Sequence, residues 1–466
     1  MSSHMIDDGG TLVVCPSISF PAVELRKITG IQHYEERLLF VSLRLRDPGM
    51  RLVYITSMPI DPEVVDYYLG FLPEPDDARR RLHLVTVGDP EPRALSAKLL
   101  ERRDLIDRIR VLAGDPSCAY LLPFNVTSWE AALADLLGLR VFGPRPELSP
   151  LGSKSGARRL ARAAGVDVVD GEEDLWSVEA IEEAVSGLLR RRAGARAVVI
   201  KLNNGFSGQG NAILEAGQAC SPLQESPITF CAAEESWSSF ERKIASGGAV
   251  IEELIRLPGV TSPSVQMCIL PGGEVQLLST HDQILGGPDD QVYLGCRFPA
   301  RPEYRSLIQE LGLRIADALA GRGVVGPFGV DFLVAPDGDG RRAYLSEINL
   351  RMGGTTHPFT MAQLITGGAY EPSSGELTVD GDSVVYLATD NLKSDGYVGL
   401  KPRAVMDAVA ASGLAFDASS RSGVTLHLLG ALPRFGKFGA MCLGSSHEQC
   451  DDLYRALVTT IEDLVE

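Results

Sequence analysis

Four polar side chains in the C-terminal half offer the clearest chemistry. Asp331 stands in the run Val330-Asp331-Phe332-Leu333-Val334, and Glu347, Asn349 and Arg351 alternate through Ser346-Glu347-Ile348-Asn349-Leu350-Arg351. Between the two runs, Pro336-Asp337-Gly338-Asp339-Gly340 is hairpin chemistry. Residues two apart on a strand point to one side, so Glu347, Asn349 and Arg351 share a face. With Asp331 on the partner strand, the locus offers two carboxylates, an amide oxygen and a guanidinium. Hard oxygen ligands of this kind suit Mg²⁺, an ion that takes substrate phosphate oxygens to complete its octahedron. An arginine one step further on meets the charge of a phosphate or a carboxylate. A polar, solvent-facing hairpin edge with an ordinary ion pair has the same composition, so the motif is read with what precedes it.

A second group lies upstream. The apolar run Ala197-Val198-Val199-Ile200 ends in Lys201-Leu202 and enters Asn203-Asn204-Gly205-Phe206-Ser207-Gly208-Gln209-Gly210-Asn211. Gly205, Gly208 and Gly210 allow close backbone approach and let N–H groups turn toward an anion. Lys201, at the strand end, can reach a phosphate as a point charge. The loop has neither the Gly-Lys-Ser/Thr of a P-loop nor the Rossmann glycine pattern, and a glycine-rich hairpin turn is the alternative. Lys154 lies in Gly152-Ser153-Lys154-Ser155-Gly156, a serine-rich start to an Ala/Arg/Leu helix that closes at Gly165. Downstream, Ala249-Val250-Ile251-Glu252-Glu253-Leu254-Ile255 is a strand with two adjacent acids in an apolar run. Backbone groups on such an edge can read an adenine, and a carboxylate beside it can hold a ribose or an exocyclic amine. The plainer reading is an edge strand that uses charge against aggregation.

Larger elements must bring these residues together. Strands at 12–14, 51–56, 82–87 and 119–122 alternate with helices at 61–72, 93–112 and 129–137, the last closed by Gly138, which predicts a parallel α/β domain over residues 1–148. Pro144-Arg145-Pro146-Glu147-Leu148-Ser149-Pro150 is a rigid linker. Residues 149–256 hold Lys154 and the Lys201 loop, 257–390 the Asp331–Arg351 group, and 391–466 a smaller α+β unit with strands at 423–429 and 437–443 and a final helix at 447–464.

With 466 residues, 45% hydrophobic and 23% charged, the chain supports a large core in two or three subdomains. A net charge of −17 and a pI near 5.0 argue against a nucleic-acid binder, which needs a basic face. No apolar run approaches the ~18 residues of a membrane helix, so no membrane partner is expected. Met1-Ser2-Ser3-His4-Met5 lacks the basic-then-apolar pattern of a signal peptide and reads as a cloning remnant, which points to the cytoplasm. The 8 cysteines show no Cys-x-x-Cys spacing and are expected as buried free thiols.

Taken in order, the Lys154 helix, the Lys201 strand with its glycine loop, Val-Ile-Glu-Glu-Leu-Ile, Val-Asp-Phe and Glu-Ile-Asn-Leu-Arg resemble the ATP-grasp superfamily. The resemblance implies an α/β ATP-grasp fold with a parallel α/β domain before it and a small α+β unit after it. By the same resemblance Lys154 and Lys201 grip the phosphates of ATP, and the loop bearing Gly205, Phe206, Ser207, Gly208 and Gly210 closes over them. Glu252, Glu253, Leu254 and Ile255 become the adenine hinge. Asp331, Glu347 and Asn349 hold magnesium, two Mg²⁺ ions or Mn²⁺ in their place, and Arg351 contacts the transferring group. Ser153 departs from the family pattern, which often has an acid before the first lysine. A homodimer through the N-terminal domain is common for the fold.

The activity implied is that of an ADP-forming carboxylate–amine ligase, in which the protein supplies positioning and charge neutralisation. His281, Gln283, Tyr293 and His357 are candidates for the reacting end; a histidine on a strand, as at 281, also suits a purely structural role. Ser262-Pro263-Ser264-Val265-Gln266, Tyr293-Leu294-Gly295-Cys296, the run from Glu347 to Pro358 and Arg434-Phe435-Gly436-Lys437-Phe438-Gly439 resemble the narrower group of pheganomycin-type peptide ligases. That group implies a nonproteinogenic guanidino acid joined to the N-terminal amine of a peptide in antibiotic biosynthesis. A dipeptide-forming ligase of free amino acids and a small-molecule kinase on the same fold are the rival readings. A carboxylase subunit is disfavoured because no biotin-carrier motif is present.

Overall fold

The computed structural model describes residues 10–205, 210–219 and 222–465. Its first sheet is parallel, in the order Leu82–Thr86, Arg51–Thr56, Thr11–Cys15, Ala119–Pro123, Arg140–Val141. These strands are near-continuous apolar runs because both faces are covered. Val13, Val53, Val85 and Leu121 pack with the helices Leu95–Leu100, Arg103–Ala113 and Ser128–Leu137. Leu12, Leu52 and Tyr54 pack with Pro62–Leu69 and with the tight helical turns of Ile31–Arg46. Ser128–Leu137 starts at a capping box between Thr127 and Glu130 and stops at Gly138, where φ is 71°. The single helix expected over 93–112 is two. Arg102 leaves helical geometry between them, and its guanidinium goes to the Val87 carbonyl at 2.9 Å and to Asp104 at 2.8 Å.

The second sheet is antiparallel, in the order Gly171–Leu175, Ala249–Glu253, Ala197–Leu202, Asn211–Glu215, Ile228–Phe230. Helices Val178–Arg191 and Trp237–Gly247 bury Ile181, Leu188, Phe240 and Ile244 with Ile200 and Ile251. Val199 and Ile213 belong to a separate small cluster with Ala197, Cys231 and Leu254.

The third sheet runs Gly340–Asn349, Gly326–Asp337, Pro263–Ile269, Val275–Gly286, Val292–Phe298, Asp382–Lys393, Glu376–Val379, Ala369–Glu371. Lys437–Gly444 pairs with Asp382–Lys393, and Gly423–His427 pairs in turn with Lys437–Gly444. The expected boundary at 390 falls inside Asp382–Lys393, so the last strands of the chain extend the sheet that carries Asp331 and Glu347. The predicted hairpin closes at Asp337↔Gly340 with Gly338 at φ 58°. Helix Pro302–Ala320 packs behind this sheet through Tyr304, Ile308, Ile315 and Leu319. Six of the described cysteines are buried free thiols and Cys118 is an exposed one; Cys220 lies outside the described residues. Among the described residues no helix is long and apolar enough to cross a membrane.

Candidate active site

Strand register sets the first part of the site. Asp331 is opposite Glu347 and Gly329 opposite Asn349, with a bulge after Asp331. Bulges of this kind re-aim neighbouring side chains. Asn349 Nδ2 donates to Asp331 Oδ2 at 3.0 Å. Gly329 leaves room that a side chain would remove, since a Cβ there would lie 2.9 Å from the Gln266 amide. Burial and the neighbouring Glu347 raise the Asp331 carboxyl above its ordinary range. Burial acts in the same sense on Glu347, but Lys154, with Arg351 and Lys201, outweighs it and lowers that group.

Lys154 reaches Glu347 across the subdomains, Nζ to Oε1 at 2.9 Å. It is the first residue of the helix Lys154–Ala163, capped by Ser153, whose hydroxyl accepts from the Gly156 N–H at 3.0 Å. Asn203 fixes this helix start to the end of the Lys201 strand. Its carbonyl accepts from the Lys154 N–H at 3.1 Å, and its Oδ1 accepts from the Ser155 N–H at 3.0 Å. The loop that follows is pinched by two bare backbones. A Cβ on Gly205 would come 3.0 Å from Gly210 Cα, and one on Gly210 2.9 Å from Gly205 Cα. Phe206, Ser207 and Gly208 lie outside the described residues.

Lys201 Nζ sits 2.6 Å from Glu252 Oε2, and Arg158 Nη1 donates to Glu252 Oε1 at 2.6 Å. The Glu252 carboxylate is therefore engaged by two cations from within the fold. Glu253 pairs with Arg192 at 2.9 Å, its N–H goes to the Asp170 carbonyl, and the Leu254 N–H goes to the Ala197 carbonyl. Those two N–H groups are used internally, which the sequence did not indicate.

One cavity of about 910 Å³ gathers these residues: Lys154, Lys201, Gly205, the hinge 252–255, Asp331, Glu347, Asn349 and Arg351 all line it. Val169, Val199, Leu254 and Leu333 give part of it an apolar wall. Arg351 has no carboxylate partner among the described residues; its Nη1 donates to the Met352 carbonyl at 3.2 Å and its guanidinium lies 5.8 Å from the Phe20 ring. Gln283 and Tyr293 also line the cavity. Gly354 makes room for Tyr293, since a Cβ there would come within 2.8 Å of that ring.

Two expected residues are not on the wall. His281 is fully buried, with Nε2 2.6 Å from the Tyr386 hydroxyl and its ring against Phe298, and burial lowers its pKa to about 3. Strand alternation puts it on the side of Gln283, but the core closes over the sheet before reaching it. His357 turns inward from the Gly-Gly-Thr-Thr loop, its Nε2 3.1 Å from His427 Nε2. His427 in turn bonds Asp390 Oδ1 at 2.7 Å, and Arg37 bonds Asp390 Oδ2 at 2.9 Å. Burial alone would raise Asp390, yet the two histidines and Arg37 hold it far below the usual carboxylate range. What lines the cavity here is Arg37 and Asp390, with Tyr34, Lys393 and Lys437 beside them. None of these five was expected; the only hint was the Arg434–Gly439 run, which includes Lys437.

Comparison with known proteins bears on the fold and the family. Residues 224–372 match a family described as IQCH-like, ATP-grasp, and residues 404–457 match the PGM1 C-terminal domain. The L-propargylglycine–L-glutamate ligase of Streptantibioticus cattleyicolor is 32% identical over 472 aligned positions, covering 97% of this chain and 94% of that protein. Among solved structures, an ADP complex of N5-carboxyaminoimidazole ribonucleotide synthetase superposes with a TM-score of 0.57 at 13% identity, over 99% of both chains. Biotin carboxylase from Campylobacter jejuni, in complex with a β-γ-ATP ligand, gives 0.59 at 13% identity, over 98% of this chain and 94% of that one. Those two share the fold, whereas the Streptantibioticus relative is similar along nearly its whole length. The chain belongs to the ATP-grasp family and is an ATP-dependent ligase.

Proposed function

We propose that the chain uses ATP to activate a carboxylic acid as an acyl phosphate and then joins the acyl group to an amine. The observation that carries this reading is the single cavity holding Lys154, Lys201, Asp331, Glu347, Asn349 and Arg351 on its wall, with a volume of about 910 Å³. The Asp331–Glu347–Asn349 group fits a divalent cation. It presents two carboxylates and an amide oxygen on adjoining strands, and a bound cation would relieve the pressure of Glu347 on Asp331. We read two Mg²⁺ ions there, or Mn²⁺ in their place; such ions neutralise phosphate charge. Lys154 and Lys201 hold the phosphates, with Glu252 keeping Lys201 aimed. The segment Glu253–Ile255 and the apolar wall at Val199 and Leu254 face the adenine.

In this reading a carboxylate oxygen of the acid attacks the γ-phosphorus of ATP, ADP leaves, and Arg351 meets the charge on the transferring group. The amine then attacks the carbonyl carbon, inorganic phosphate leaves, and the spare proton goes to solvent. For the acid we favour a guanidino-bearing nonproteinogenic amino acid, supported by the acidic wall residue Asp290; Asp282 and Asp289 on the same wall are engaged by Tyr304 and Arg256. For the amine we favour the N-terminus of a peptide. A free amino acid is the second reading, supported by the Streptantibioticus relative, whose name pairs two amino acids.

The test is phosphate release from ATP and Mg²⁺ with a panel of acids, each with and without amino acids or short peptides, with products identified by mass spectrometry. Phosphate released only when acid and amine are both present, with a product one water lighter than the pair, is the expected result. A phosphorylated hydroxyl compound with no free phosphate would replace this reading with a kinase.

A further inference from the structure

The end of the cavity built by the N-terminal segment and the last strands carries more positive charge than its own acids balance. Lys437 is 7% exposed, donates to the Tyr34 hydroxyl at 2.7 Å and stands 5.2 Å from the Tyr34 ring centroid. Among the described residues no carboxylate pairs with it. A buried ammonium without a counter-charge is unfavourable, and burial pushes this one down to about 8. Strand register puts Lys393 directly opposite Lys437, an arrangement of like charges that destabilises a sheet unless something offsets it. Arg37 lines the same wall, and the one acid beside it, Asp390, already has both oxygens engaged by Arg37 and His427. This concentration of cations occurs in a chain whose net charge is −17.

The phosphates of ATP have Lys154, Lys201 and Arg351, so they do not require these groups. Lys437 and Lys393 belong instead to strands on the far side of Val292–Phe298 from the Asp331–Glu347 hairpin. We infer that this end of the cavity is a carboxylate subsite, formed by Lys437, Lys393 and Arg37, that holds a free carboxylate of a substrate rather than the carboxyl being activated. The inference rests on the ligase reading above. Two sources share the chemistry: the amine substrate's own carboxylate, if that substrate is an amino acid or short peptide, and a second carboxylate on the acid.

The test uses the full chain, with L-glutamate, L-propargylglycine and their α-carboxamides as probes, and reads binding by calorimetry alongside steady-state phosphate release. Lys437→Met should weaken binding of the carboxylate forms by about tenfold, the loss of one charge-assisted hydrogen bond. Carboxamide binding should be unchanged, and Lys437→Arg should recover most of the loss. A rise in KM confined to the amine assigns the carboxylate to the amine, and a rise confined to the acid assigns it to the acid. Equal affinity of wild type and Lys437→Met for the carboxylates, or no carboxylate probe bound by wild type, overturns the subsite. Hydroxamate formation by wild type from acid, ATP and hydroxylamine is the separate control. Its absence would remove the ligase reading, and its presence beside a failed binding test would remove the subsite alone.

Discussion

Glu252→Gln tests how the nucleotide end of the cavity is held together. Glu252 is 3% exposed, and Lys201 and Arg158 each approach its oxygens to 2.6 Å. Burial raises its pKa, but the two cations outweigh that and hold it below the ordinary carboxylate value. Glutamine keeps the shape and removes the charge, leaving Lys201 facing an amide and the fully buried Arg158 with Glu173, 3.0 Å from its Nε, as its remaining carboxylate. Removing one partner of a buried ion pair costs about 3–5 kcal/mol. At about 2 °C per kcal/mol, suited to larger domains, the thermal midpoint at pH 7 should fall by about 6–10 °C. Scanning calorimetry on the two proteins measures this directly. Adding Lys201→Met to Glu252→Gln should recover about 1 kcal/mol or more, because the stranded Lys201 cation is gone. The pH dependence has a definite sign. A carboxyl depressed in the folded state contributes stability above its unfolded pKa of about 4.3 and loses it as pH falls through the folded value. The gap between wild type and variant should therefore close below about pH 4. A midpoint within about 1 °C of wild type at pH 7 would refute the claim that Glu252 is the counter-charge for Lys201 and one of two for Arg158.

Three further outcomes are expected. Lys201→Ala and Glu347→Gln should each lower acid-dependent phosphate release by about 10²-fold or more while near-UV circular dichroism stays native, and wild-type turnover in both would remove the nucleotide reading. His281→Gln should leave every KM within about twofold and lower stability by about 1–3 kcal/mol, the cost of disturbing its buried bond to Tyr386; a tenfold KM change would return His281 to the reacting end. For substrates that carry a free carboxylate, kcat/KM should fall above about pH 8 as Lys437 loses its proton, and the fall should vanish in Lys437→Arg.

Local geometry made half of the candidate site legible. Strand alternation puts Glu347 and Asn349 on one face, the Asp-Gly turn fixes the hairpin, and the register then sets Asp331 opposite Glu347. The same local reasoning found the Ser153 cap before Lys154 and the Gly138 stop. It misjudged His281 and His357, because alternation says which side of an element a residue takes and not what covers that side. In the fold, Phe298 and Tyr386 cover His281, while His427 and Asp390 draw His357 inward.

By itself the sequence determined the elements and the hairpin that presents three oxygen-bearing side chains, which depend on neighbours within a few residues, and the ATP-grasp resemblance, which depends on the order of such local motifs along the chain. Only the tertiary structure decided the pairings that close the cavity: Lys154 with Glu347, 193 residues apart; Arg37 with Asp390, 353 apart; Lys437 with Tyr34, 403 apart. Such contacts depend on how whole sheets stack and on which face each one buries. No periodicity in the chain encodes that, so the cationic end of the cavity became visible only when the first and last parts of the molecule were seen side by side.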